Sequence, residues 1–184
     1  MVLMAHYEQR QFFEQIKEEY PAFFHDVRVL DVGSLDINGS ARDFFTDADY
    51  VGVDVAPGRG VDVVAFGQEL TYPDQSFDVC LSAECFEHNP AWQETFVNMV
   101  RMSQGMVIIT CATTGRPEHG TSRSHPGSSP LTVPLWDYYR NLTPNDFRET
   151  FDLDSMFSKY RFEINTMSAD LYFVGLVRHD GTLE

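Results

Sequence analysis

The chain has 184 residues, of which 22% are charged and 14% aromatic, and its formal net charge is −15. This composition is typical of a globular protein, and the length suits one domain spanning residues 1–184. A surface this acidic repels phosphate backbones and anionic membranes, so neither nucleic acid nor a membrane is an expected partner. No apolar run reaches the roughly 20 residues that span a bilayer, and residues 1–10 lack the pattern of a signal peptide. The three cysteines are interpreted as reduced packing residues, so we expect a cytoplasmic protein.

The first predicted element is a helix at residues 5–20, which ends where Pro21 interrupts the pattern. Phe12 and Phe13 lie on its apolar side. We interpret this element as a helix packed over a sheet. The alternative is that residues 1–20 form a lid whose aromatic face closes over a ligand.

A strand, a glycine turn and a helix are predicted next. Residues 28–32 form a short apolar strand, Gly33 breaks it, and a helix is expected from Ser40 to Thr46. Ser40 followed by Asp43 is a capping-box pattern. A glycine turn that leads into a helix start presents free backbone N–H groups and the positive end of a helix dipole. The stretch therefore predicts a site for a carboxylate or phosphate, and so for a nucleotide-like ligand.

The middle of the chain alternates strands with a helix. Strands are predicted at residues 50–54, 61–65, 77–83 and 106–109, and the link between the second and third strands is too short for a crossover helix. Asn89 is expected to cap a helix that has Pro90 at its first position and stops at Gly105. This alternation predicts an α/β fold with ligand at the carboxyl ends of the strands.

A long loop and a hairpin complete the chain. Residues 112–133 are rich in Gly, Pro, Ser and Thr but also hold Glu118, His119 and His125, so we expect a functional loop. Thr143 opens another helix by the capping-box pattern. The last two strands, at residues 160–166 and 171–177, are joined by a link that suits an antiparallel hairpin.

Asp54 is the strongest single candidate for ligand binding. It ends the second strand, 21 residues after Gly33, where a carboxylate can accept both hydroxyls of a ribose. The turn from Gly33 to Gly39 lacks the G-x-G-x-x-G pattern, which disfavours an NAD-dependent oxidoreductase. That enzyme class is kept as the alternative.

Four motifs in order resemble those of small class I S-adenosylmethionine-dependent methyltransferases of the type 11 group. They are VLDVGS at residues 29–34, YVGVD at 50–54, SFDV at 76–79 and EH at 87–88. The resemblance implies a Rossmann-like α/β fold with a mostly parallel seven-stranded sheet and a C-terminal antiparallel hairpin. It also accommodates the short link between the second and third strands.

The resemblance implies S-adenosyl-L-methionine as the cofactor and assigns its site. The glycine turn would hold the methionine end, Asp54 the ribose, the segment after the third strand the adenine, and the end of the fourth strand the sulfonium. The residues so implied are Asp31, Gly33, Ser34, Leu35, Asn38, Asp54, Val55, Phe66, Gly67, Gln68, Ala83, Glu84 and Cys85. Two features depart from the family pattern: the turn lacks the middle glycine, and Phe66 stands where many relatives carry an acid.

The expected activity is methyl transfer to a small molecule. Such a transfer needs alignment and exclusion of water, and a base only when the nucleophile carries a proton. His88 and His119 are the candidate bases. A metal site built from these two and His125 has no ligand spacing behind it, so no metal ligand is predicted. A catalytically inactive cofactor-binding or partner-binding module on the same fold is the non-enzyme alternative.

Overall fold

The computed structural model describes residues 7–179, and its seven strands form one sheet. They are β1 (Arg28–Val32), β2 (Asp49–Asp54), β3 (Val63–Val64), β4 (Phe77–Ala83), β5 (Ser103–Ala112), β6 (Phe157–Asn165) and β7 (Asp170–Val177). Their order in the sheet is β3-β2-β1-β4-β5-β7-β6. The first five strands are parallel, and β7 runs antiparallel to both β5 and β6. The predicted α/β class, the mostly parallel sheet and the C-terminal hairpin are confirmed.

β1 lies in the middle of the sheet, between β2 and β4. Leu30 is paired with Val51 on one side and with Cys80 on the other. β2 and β3 extend the sheet on one side of β1, and β4 and β5 extend it on the other. In open parallel sheets this reversal leaves a crevice at the carboxyl ends of the strands, where ligands bind.

Four α-helices accompany the sheet: α1 (Tyr7–Glu19), α2 (Trp92–Met102), α3 (Pro144–Thr150) and α4 (Leu153–Met156). Within residues 7–179, none of the helices has both the length and the apolar character to span a bilayer. Residues 5 and 6 of the predicted first helix lie outside the described residues. The capping box at Thr143 is confirmed, since its side chain and that of Asp146 satisfy each other's backbone N–H groups.

The aromatic side of α1 is part of the hydrophobic core. Phe12 stacks on Tyr172 at 4.5 Å between ring centroids, and Phe13 stacks on Phe44 at 5.1 Å. Phe13 and Ile16 are fully buried. The packing agrees with a helix laid over the sheet. In the lid alternative these rings would contact a ligand, but here they contact β7 and the segment after β1.

The helix predicted at residues 40–46 is wrong: the structure has a single 3-10 turn, Ala41–Phe44. The Ser40 side chain caps it by accepting a hydrogen bond from the Arg42 N–H, whereas the Asp43 N–H donates to the Ser40 carbonyl. The chain then becomes extended because Thr46 forms a β-bridge with His25. A four-residue turn has no helix dipole of consequence, so that part of the anion-site argument fails.

Other strands and helices begin or end at different residues from those predicted, for local reasons. β3 is only two residues long. α2 begins at Trp92 and not at Pro90, because the Asn89 side chain accepts a hydrogen bond from the Ala91 backbone and holds a turn there. β5 starts at Ser103 and runs through Gly105, which was expected to be a helix stop. A Cβ at this glycine would lie 2.3 Å from the Phe23 ring, so the position needs glycine for packing.

Replacing Phe13 with alanine tests whether α1 belongs to the core. Removing a fully buried phenylalanine should lower the free energy of unfolding by about 3–5 kcal/mol. Urea unfolding measures the change, with Tyr7→Ala as the control because Tyr7 is 67% exposed on the same helix. Equal stabilities for the two variants would mean that α1 does not pack on the sheet in solution.

Candidate active site

Two adjoining cavities lie at the carboxyl ends of β1, β2 and β4. The large cavity has a volume of about 130 Å³ and the small cavity about 30 Å³. They share five lining residues, Gly33, Asp54, Cys85, His88 and Thr132. The two cavities are therefore halves of one cleft, at the crevice that the sheet topology creates.

Gly33 makes the turn that closes one wall of this cleft. Its φ of +88° lies in the left-handed region, which glycine adopts without strain. A Cβ built on it would lie 2.4 Å from the Cβ atom of Cys85. The ends of β1 and β4 can approach this closely only because residue 33 has no side chain.

The backbone N–H groups of the turn are largely used by the protein itself. Those of Gly33 and Ser34 donate to the Val53 carbonyl, and that of Asp36 donates to the Arg59 carbonyl. The Gly39 N–H donates to the Asp36 side chain. The expectation of free amides at these positions is wrong, because acceptors in β2, in the loop before β3 and in the turn itself already accept their hydrogen bonds.

Asp54 faces both cavities from the end of β2. Its Oδ2 atom accepts a hydrogen bond from the Leu35 N–H at 3.0 Å, and its Oδ1 atom accepts one from the Val55 N–H at 2.7 Å. Burial raises the pKa of this carboxyl, while the two N–H groups act in the opposite direction. Each oxygen keeps a second lone pair, so the carboxylate can still accept from ligand hydroxyls.

Two residues expected at the cofactor lie behind the wall of the cleft. Asp31 lines neither cavity; its Oδ2 atom accepts a hydrogen bond from the Tyr50 hydroxyl at 2.7 Å. Burial raises the pKa of Asp31 to about 7. Ser34 is also buried outside both cavities, because the turn directs its side chain toward Gly52. These residues support the turn from beneath.

The segment after β4 borders the large cavity, as expected for Ala83, Glu84 and Cys85. Glu84 has a φ of +54°, a strained conformation for a residue with a side chain, and such strain is often found at functional sites. Gln9 donates hydrogen bonds to Glu84 Oε1 at 3.4 Å and to Thr110 Oγ1 at 2.6 Å. Burial is the main cause that raises the pKa of Glu84 well above its usual range, and repulsion from the Glu87 carboxyl raises it further.

The small cavity is built by the segment after β3 and by a residue that the sequence analysis did not select. Phe66, Gly67 and Gln68 line it as expected, together with Val55. Trp136 closes the opposite side, with its ring centroid 5.6 Å from that of Phe66. This pair of aromatic rings gives the small cavity the character of a site for a flat, apolar ring.

A loop covers the cleft. Residues 128–132 line the large cavity, and the loop is fastened to the turn at residues 86–88 by two hydrogen bonds. The Trp136 indole N–H donates to the His88 carbonyl at 2.6 Å, and the Arg140 N–H donates to the Glu87 carbonyl at 2.8 Å. The loop predicted to be functional therefore lies at the site. Its ordering on ligand binding stays a prediction.

The two candidate bases lie side by side, with ring centroids 5.0 Å apart. His88 lines both cavities, and burial lowers its pKa to about 3, with a further contribution from His119. An imidazole with so low a pKa is neutral near pH 7 and a weak proton acceptor. Glu87 forms one group with the two histidines, and the exposed His125 is not part of it.

Sequence reasoning missed several residues that line the cleft. Gln9 could have been found, because it is a polar residue at helical spacing from Phe13 and Ile16 on the buried side of α1. Trp136 carries no such signal, since its position depends on how a 30-residue loop folds back. The remaining missed residues are Val32, Ile37, Gly39, Ala41, Val53, Ala65, Asn89 and 128–132.

Comparison with known proteins assigns the fold. A family model described as a methyltransferase domain matches residues 30–109. This stretch, which is less than half of the chain, is similar to a methyltransferase domain. No protein with a curated description matches the sequence.

Solved structures share this fold over nearly the whole chain. YcgJ protein from Bacillus subtilis aligns with a TM-score of 0.62 at 11% identity, covering 93% of this chain and 100% of that one. The 1,6-didemethyltoxoflavin-N1-methyltransferase of Burkholderia thailandensis, solved with 1,6-didemethyltoxoflavin and S-adenosylhomocysteine, gives 0.64 at 14%, covering 94% and 79%. A phosphoethanolamine N-methyltransferase 2 of Haemonchus contortus, solved with S-adenosyl-L-methionine, gives 0.65 at 14%, covering 97% and 54%. At these identities the likeness establishes the fold, and the family match gives no support to the NAD-dependent alternative.

The contact between the ends of β1 and β4 leads to a prediction about Gly33. Gly33→Ala should lower the free energy of unfolding by about 1–3 kcal/mol, because the new Cβ is strained at a φ of +88° and collides with Cys85. Gly127→Ala is the control, since a Cβ there meets no atom within 4 Å. Chemical denaturation compares the two, and equal stabilities would contradict the close approach.

The buried Asp31 makes a prediction about pH. In the folded chain it holds its proton up to about pH 7, whereas in the unfolded chain it loses it near pH 4, so stability falls as the pH rises through this window. Over these roughly three pH units, the free energy of unfolding should fall by on the order of 4 kcal/mol. Asp31→Asn cannot ionise, so its stability should fall much less between pH 4 and pH 7.

Urea unfolding at several pH values measures this slope. Asp49→Asn, an exposed position on the neighbouring strand, should keep the slope of the unmodified chain. If Asp31→Asn also keeps it, the carboxyl is ionised in the folded chain and the burial argument is wrong.

Proposed function

We propose that this protein binds S-adenosyl-L-methionine in the cleft at the ends of β1, β2 and β4 and transfers its methyl group to a small molecule. The observation that carries the proposal is the Asp54 carboxylate, which faces both halves of a cleft placed at the switch point of a class I methyltransferase fold. A carboxylate at a strand end and a crevice at the switch point of the sheet also define nucleoside sites in other open α/β sheets.

The residues present fit such a cofactor. Asp54 would accept the ribose hydroxyls, and the cleft divides there into two halves of different character. The small cavity, which Phe66 and Trp136 line, offers aromatic surface for the adenine ring. The large cavity, with Asn38 and Glu84 on its walls, suits the polar methionine end. When bound, the cofactor supplies a methyl carbon activated by positively charged sulfur.

The protein's own contribution is alignment and the exclusion of water. The left-handed turn at Gly33 and the strained Glu84 fix the two walls of the cleft. Residues 128–132 cover it, which shields the reacting centre from solvent. The half-buried Glu84 carboxyl on the cavity wall would also favour a substrate group that donates hydrogen bonds.

The small-molecule acceptor is supported by the size and charge of the site. Residues 128–132 lie over the large cavity, which favours a compact acceptor over a polymer. The net charge of −15 disfavours nucleic acid as the acceptor. His88 and His119 remain the proposed bases for an acceptor that carries a proton, although the lowered pKa of His88 makes it the weaker candidate.

Replacing Asp54 tests the proposed cofactor site. Asp54→Ala should weaken the binding of S-adenosylmethionine and S-adenosylhomocysteine about ten- to a hundredfold, because a charged acceptor is lost. Calorimetric titration measures both affinities, with NAD titrated in parallel. Asp49→Ala is the matched control, because Asp49 begins the same strand at its opposite end and is exposed.

The outcome separates the proposals. Equal affinities for the Asp54 and Asp49 variants would remove Asp54 from the site, and binding of NAD but not of S-adenosylmethionine would overturn the proposed function. Tight binding without methyl transfer to any member of a metabolite panel would favour the inactive cofactor-binding alternative.

A further inference from the structure

A second cluster of polar groups lies beside the cleft, beneath the loop that covers it. Glu87 and His88 follow β4, and His119 comes from the loop after β5. Each side chain offers one oxygen or nitrogen atom, and these three atoms lie within 4.8 Å of one another. The cluster joins two parts of the chain that are about 30 residues apart.

Two of these groups are buried with unused hydrogen-bonding capacity. Glu87 is fully buried and His88 is 2% exposed. Glu87 Oε1 accepts a hydrogen bond from the Ala112 N–H at 3.2 Å, but Glu87 Oε2 and His88 Nδ1 have no hydrogen-bond partner among residues 7–179. Buried polar atoms are nearly always satisfied, so two unsatisfied atoms in one cluster indicate a ligand.

The contact made by the His119 ring suits metal binding. The Nδ1 atom of His119 lies 3.0 Å from the Pro117 carbonyl, which can only accept, so Nδ1 carries the proton and Nε2 the lone pair. A backbone carbonyl on one ring nitrogen is the usual support of a histidine that binds metal through the other.

We propose that Glu87, His88 and His119 bind a divalent transition-metal ion, for which Zn²⁺ is the best match. Two imidazoles and one carboxylate are the protein ligands of many zinc sites that keep a position open. Ligands around tetrahedral zinc lie roughly 3.3–3.6 Å apart, so the half-buried His119 would move inward by about 1 Å. Its position on a loop allows this shift.

The ion would have two consequences for this protein. It would tie the covering loop to the turn at residues 86–88, adding to the hydrogen bonds from Trp136 and Arg140. It would also lie one imidazole ring away from the cleft, because His88 lines both cavities. Neither consequence depends on cofactor binding, and a histidine that binds the ion cannot also act as the base proposed above.

Zinc titration of the metal-stripped protein tests the proposal. With excess Mg²⁺ present to occupy surface carboxylates, calorimetry should show one Zn²⁺ bound per chain, and Zn²⁺ should raise the thermal unfolding temperature. His119→Asn should weaken this binding at least about tenfold. His125→Asn is the matched control: it lies in the same loop, and asparagine tolerates the left-handed φ of 46° found there.

Three outcomes would overturn the proposal. The first is that the unmodified chain binds no Zn²⁺, and the second is that the His119 and His125 variants bind it equally. The third is that the His119→Asn variant keeps full binding because cysteines hold the ion. If His119→Asn fails to fold, Glu87→Gln takes its place, since glutamine keeps the shape and the acceptor for Ala112. The titration contains no S-adenosylmethionine, so its failure leaves the proposed methyl transfer unaffected.

Discussion

The site depends on the close approach of Gly33 to Cys85. β1 and β4 are neighbours in the sheet, and their chains leave it at adjacent points. Because residue 33 has no side chain and adopts a left-handed conformation, the Cys85 side chain packs directly against it. That contact separates the large cavity from the small one and leaves Asp54 where the two meet. The rest of the cleft is arranged around this point.

Electrostatics explain how a strongly acidic chain can carry carboxyls in its interior. Near the end of β4, burial raises the pKa values of Glu84 and Glu87, the latter to about 7. Asp170 is fully buried as well, but it is paired with Arg116 at 2.7 Å. The covering loop supplies Arg116, so packing of the loop and neutralisation of the buried acids are parts of one arrangement.

The sequence could predict the features that local patterns specify, and it failed where distant parts of the chain meet. The strands, the Gly33 turn and Asp54 follow from short apolar runs bounded by glycine and acid. The helix expected after Ser40 failed because tertiary pairing of Thr46 with His25 draws the chain into an extended form. Trp136 could not be placed, since its position rests on a loop docked by hydrogen bonds across nearly 50 residues.

The central claim is that the cleft around Gly33, Asp54 and Cys85 holds S-adenosylmethionine. A crystal structure of the complex with S-adenosylhomocysteine tests it most directly. The account predicts ligand density that joins the large and small cavities, with the ribose hydroxyls on the Asp54 carboxylate and the adenine against Phe66. Density elsewhere on the sheet, or a cleft that stays empty at saturating ligand, would contradict it.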